Sequence, residues 1–90
     1  MDLGDLRKQI DSVDEQIVSL YEERMDICKH VAEVKIETGK KVFDREREKE
    51  KIARVKSLTH NDFNRTGIGE LFEQIMSMSR KRQYQLLTSI

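Results

Sequence analysis

Apolar residues in the first third of the chain recur at steps of three and four. Leu6, Ile10, Val13, Ile17 and Leu20 form one ladder, and Ile27, Val31 and Val34 continue it. This is the spacing of a heptad seam on one helix, and it predicts a helix from about Asp5 to Glu37. Roughly thirty residues at ~1.5 Å each make a rod ~45–50 Å long. A compact globule of this chain length is only roughly 25–30 Å across. The rest of the chain is too short to cover the rod, so its seam needs a partner.

Thr38-Gly39 ends the rod. Gly39 suits a left-handed cap, and Lys40 and Lys41 follow at the negative end of the helix dipole. Val42-Phe43 reads as a brief extended link. Asp44 is a good N-cap for a second helix, Arg45 to about Leu58, with apolar positions at Ile52, Val55, Ala53 and Leu58. Thr59-His60-Asn61-Asp62 is a turn by composition, and Phe63-Asn64-Arg65-Thr66-Gly67 fits either a loop or a frayed first turn. A third helix follows, from about Asn64 or Gly67 to Leu87, with a seam of Ile68, Leu71, Phe72, Ile75, Ser79, Gln83 and Leu86. No stretch alternates with a two-residue period for long enough to make a strand. The expected fold is all-α: three helices, long, short and long, forming a single domain over residues 1–90.

Composition sharpens this picture. In 90 residues, 38% are charged and 37% hydrophobic, so a core built by one copy alone is thin. Proline is absent. Seventeen basic and seventeen acidic side chains cancel and are interspersed, so no basic face collects to neutralise phosphates. That argues against nucleic acid as a partner. No apolar run approaches ~18 residues, and the start MDLGDLRKQ lacks the apolar core of a signal peptide. Cys28 is the only cysteine and cannot form an internal disulfide, so the cytoplasm is the default compartment. Neither a metal nor a cofactor is expected. There is no paired Cys or His spacing and no glycine loop to cradle a phosphate. Cys28 and His30 point in different directions on a helix, and Cys28 reads as a small core filler.

The candidate chemistry lies in residues that interrupt the apolar seams. Arg24 stands where the long helix should present an apolar knob. A buried arginine is costly unless it meets an anion, and the plain alternative is a register-setting polar contact. Lys35 lies eleven residues on, only ~20° around the helix and ~16 Å along it, so both cations can reach one pocket from its two ends. Taken alone, Lys35 is an ordinary solvated lysine. Ser79 and Gln83 continue the seam of the third helix as neutral hydrogen-bonding groups, or else mark a wet helix end. Glu48 shares a face with Ile52 and Val55, either half-exposed or aimed inward. Arg47, beside it, suits an ion pair with an acid such as Asp44. No nucleophile is assembled. An enzyme made of these parts works by positioning and fixed charge.

The segment LRKQIDSVDEQIVSLYEERMDICKHVAEVK, followed by VFDREREKE, resembles the all-helical chorismate mutases. These occur alone or as N-terminal domains fused to prephenate dehydratase. Leu6-Arg7, Ile10-Asp11, Asp14, Arg24, Lys35, Asp44 and Arg47-Glu48 match the family pattern in register. Ser79 and Gln83 fall where its third helix supplies the last two polar contacts. Where many relatives carry proline around the V-x-D segment, this chain has Lys41 and Arg45.

The resemblance implies an intertwined homodimer with two shared active sites, and chorismate as a substrate rearranged to prephenate without cofactor or metal. It implies that Arg24, and Arg7 from the partner chain, clamp the two carboxylates. Lys35 and Gln83 would donate to the ether oxygen. Glu48, with Asp44 or nearby backbone, would take the ring hydroxyl. Arg47 would order Glu48, and Ser79 would assist a carboxylate. Geometry points the same way for Arg7: it is seventeen residues before Arg24, hence ~25 Å along the same rod, and cannot share a pocket with it. Two other readings stay open. One is an isochorismate pyruvate-lyase on the same fold; the other is a helical dimerisation module without catalysis. The end at Leu86-Leu87-Thr88-Ser89-Ile90 is compatible with a helix leading into a fused dehydratase.

Overall fold

A computed structural model of the chain describes residues 2–89. Among them are three helices: α1 (Leu3–Thr38), α2 (Arg45–Ser57) and α3 (Asp62–Thr88). The all-α, long–short–long order therefore holds. The 36 residues of α1 account for the 54 Å long axis of the molecule, as ~1.5 Å per residue requires.

Two boundaries follow the expected chemistry. Gly39 takes φ +71°, and the Lys40 N–H donates back to the Lys35 carbonyl at 2.9 Å, which closes α1. The Asp44 carboxylate accepts the Arg47 N–H at 3.0 Å and opens α2. The third boundary corrects the sequence reading. Helix α3 starts at Asp62, before Asn64 or Gly67, because the Asn61 side chain accepts the Asn64 N–H at 2.7 Å. The segment from Phe63 to Gly67 is thus helical, and Asp62 pairs with Arg65 one turn on. At the end of α2, Ala53 and Leu58 are exposed, so only Ile52 and Val55 of its four apolar positions face inward.

Helix α3 packs against both α1 and α2. It runs opposite to α2: Glu48 meets Arg80 near one end, and Lys56 lies against Gly69 near the other. A Cβ at Gly69 would sit 3.4 Å from the Lys56 stem, at the edge of ordinary van der Waals contact. Helix α3 covers only the second half of the α1 stripe, where Tyr21, Arg24, Met25, Cys28, Ala32, Lys35 and Ile36 are buried or half-buried. The first half is uncovered: Ile10, Val13, Ile17 and Leu20 are each more than half exposed. Ile27 and Val34, placed on the seam by spacing, lie on an exposed flank. The buried apolar core is small, consisting of Ala32, Val42 and Met76.

Candidate active site

A cleft of about 160 Å³ lies where the second half of α1, the start of α2 and the second half of α3 converge. Arg24, Lys35, Asp44, Arg47, Glu48, Ser79 and Gln83 all line it. These are the polar residues singled out from the sequence, with one exception. Arg7 is exposed on the first turns of α1, ~25 Å along the helix from Arg24, and contributes nothing to this cleft.

Helix periodicity explains the convergence. Arg24, Cys28 and Lys35 follow one stripe of α1, and Met76, Ser79 and Gln83 follow one stripe of α3. The Arg24 guanidinium donates to Ser79 Oγ at 2.9 Å, and Ser79 Oγ donates to the Ile75 carbonyl at 2.9 Å. Ser79 is thereby buried with its hydrogen bonds made, and Arg24 is steered into the cleft. Lys35 Nζ donates to the Val42 carbonyl at 2.7 Å. The link between α1 and α2 therefore fixes this lysine at the opposite end of the cleft from Arg24.

Gln83 is the unusual member. It is only 6% exposed, yet its Oε1 is buried without a hydrogen-bond partner. Leaving such a group unpaired costs about 1–3 kcal/mol, which a ligand donor or acceptor would relieve. The N and O of an amide exchange by a flip, so the group can present either to the cleft.

Two expectations need correction. Arg47 makes no side-chain ion pair among the described residues; its backbone N–H, and not its guanidinium, meets Asp44. The partner of Glu48 is Arg80, whose guanidinium forms an ion pair with Glu48 Oε1. Cys28 is not a core filler but a half-buried wall of the cleft, with its Sγ 3.5 Å from Ser79 Oγ and 3.8 Å from the Arg24 guanidinium. Arg80 and Lys51 also line the cleft and were not anticipated. Both sit in runs of charge that read as solvated faces. Only the meeting of α2 with α3 turns them inward.

Five cations (Arg24, Lys35, Arg47, Lys51 and Arg80) against two carboxylates (Asp44 and Glu48) leave a local excess of three positive charges. The chain as a whole has a formal net charge of zero. Concentrated positive charge between low-dielectric walls attracts small anions. No group of three or more metal-ligating side chains occurs among the described residues. No helix among them is long and apolar enough to cross a membrane.

The all-helical scaffold gathers fixed cations and neutral hydrogen-bonding groups around a small cleft, an arrangement whose charge suits a compact anion. The chain belongs to the chorismate mutase family: the type II description of that family matches residues 6–84. Its class is therefore that of an isomerase. It is 36% identical over 87 residues to a chorismate mutase of Methanocaldococcus jannaschii, covering 94% of this chain and 87% of that one. It is 33% identical over 87 residues to a bifunctional chorismate mutase/prephenate dehydratase of Buchnera aphidicola, covering 96% of this chain and 23% of that protein. No solved structure gives a significant match.

Proposed function

We propose that the chorismate mutase reaction takes place in this cleft, and that each site is completed by Arg7 of a second copy. The observation that carries the reading is the convergence of Arg24, Lys35, Glu48, Ser79 and Gln83, from three helices, on one positively charged cleft. Chorismate is a flexible dianion. Its rearrangement to prephenate breaks one C–O bond as one C–C bond forms, with no net proton transfer. Catalysis then requires a compact substrate conformation and fixed donors at the ether oxygen, where negative charge grows.

In this reading Arg24 and the second copy's Arg7 hold the two carboxylates, and Ser79 both assists and orients Arg24. Lys35 and Gln83 approach the ether oxygen from two helices. Lys35 is already aligned by the Val42 carbonyl, and Gln83 has a buried Oε1 without a partner, so a flip of its amide would turn the NH2 to the ether oxygen in its place. Glu48 accepts the ring hydroxyl, next to Asp44 at the start of α2. Arg47 borders the same wall. No cofactor or metal enters this scheme. Residues 1–90 form one mutase domain, and the cytoplasm is the compartment this chemistry and the lone cysteine suggest. The uncovered apolar stripe of α1 supports a helical homodimer.

The test is product analysis with the purified protein. Chorismate is expected to give prephenate. Salicylate and pyruvate from isochorismate, with chorismate untouched, would favour the lyase. Inertness toward both would favour a dimerisation module. Arg24→Ala and Lys35→Ala should each lower kcat/KM by about 10²–10³, as for removal of a preorganised donor. Near-normal rates in either variant would move the reaction out of this cleft.

A further inference from the structure

The Glu48–Arg80 ion pair differs from the other two close acid–base contacts among the described residues. Those two, His30–Glu33 and Asp62–Arg65, lie within single helices with three-residue spacing and well-exposed side chains. Glu48–Arg80 joins α2 to α3 across 32 residues of sequence, with side chains only 22% and 28% exposed. Screening by water is correspondingly weaker there.

Arg80 is held on a second side as well. Its guanidinium carbon lies 4.7 Å from the centre of the Phe43 ring, within cation–π range. Phe43 follows Val42, whose carbonyl receives Lys35. One guanidinium thus meets both the Glu48 carboxylate and the ring that follows the carbonyl holding Lys35.

We infer that Arg80 is a positioning residue for the reaction. It fixes the Glu48 carboxylate at the cleft wall and neutralises it, so that a dianion enters without meeting a free negative charge. The inference rests on the proposed role of Glu48 as acceptor of the ring hydroxyl. Without Arg80, Glu48 is free to swing toward solvent or toward Arg47 and Lys51.

A double-mutant cycle read as kcat and KM for chorismate separates this role from a purely structural one. Arg80→Ala is expected to lower kcat/KM roughly 10- to 100-fold, the effect of losing one charge-assisted hydrogen bond. In a Glu48→Gln background the same substitution should cost less than about 3-fold, because Arg80 acts through that carboxylate. Arg80→Lys, which keeps the charge but loses the fork, should recover part of the rate. Arg80→Gln keeps much of the side-chain volume and should show the same non-additivity should Arg80→Ala fold poorly. Equal losses in both backgrounds, or a near-normal Arg80→Ala beside a slow Glu48→Gln, would overturn the inference alone. A normal rate for Glu48→Gln by itself would overturn the role of Glu48 and this inference with it.

Discussion

Gln83 shows how one side chain decides the pH range of the proposed reaction. A neutral amide can donate to the ether oxygen at any pH where the fold survives. A carboxyl group in its place donates only when protonated, and an ordinary glutamate titrates near ~4.3. Proximity to a growing oxyanion would push such a group up, and Lys35 would push it down. The sign is the same in either case. Gln83→Glu should keep activity at acid pH and lose it as pH rises and the carboxylate ionises, mainly in kcat, since the oxyanion develops in the transition state. Rate profiles of both proteins between about pH 4 and 8, with folding followed by circular dichroism, check this. Parallel profiles would remove Gln83 from the breaking bond. Residues of this kind were legible in the sequence because they are polar where the period demands an apolar side chain. Arg24, Ser79 and Gln83 all interrupt a seam. Arg80 was not legible. It stands in the run Arg80-Lys81-Arg82, and its partner is 32 residues away on another helix.

The corner between α1 and α2 links helix chemistry to the site. Lys35 closes α1 with its carbonyl and reaches the link with its Nζ, so the last turn of one helix and the path into the next share a residue. Asp44 then starts α2 and fixes the direction in which Glu48 points, one turn later. Removing that cap should destabilise the protein by about 1 kcal/mol, and Asp44→Asn should lose much less than Asp44→Ala. Urea unfolding of the three proteins measures this. Equal stability of Asp44→Ala and wild type would show that the cap does not hold α2. Both of these boundaries could be read in the sequence, because Gly39 and Asp44 each carry a strong local signal. The start of α3 could not. Gly67 and Gly69 lower helix propensity there, and the deciding contact is the Asn61 cap, in a stretch whose composition reads as a turn.

The whole molecule is too extended for its size. Its radius of gyration is 16.3 Å, where a compact chain of this length has ~12 Å. It exposes 7412 Å², where a folded monomer of this mass exposes roughly 5,500 Å². The surplus of roughly 1,900 Å² per copy is of the order found at large obligate interfaces. Exposed apolar side chains such as Ile17, 55% exposed, and Leu20, 63% exposed, line an apolar groove with Leu71, Phe72 and Met78 of α3. That extension was legible from the rod's length against the globule's diameter. The division of the stripe was not, because how far α3 covers α1 depends on tertiary packing. Arg7 lies on the uncovered half of α1 and Arg24 on the covered half, so the proposed shared site requires a second copy to bring them together. Mixing Arg7→Ala with Arg24→Ala under conditions of subunit exchange measures this directly. Each variant alone should be nearly inactive on chorismate. An equimolar mixture should recover about a quarter of the wild-type sites, since half of the random dimers are mixed and each of those holds one intact site. No recovery, with exchange demonstrated by mass, would contradict a site shared between two copies.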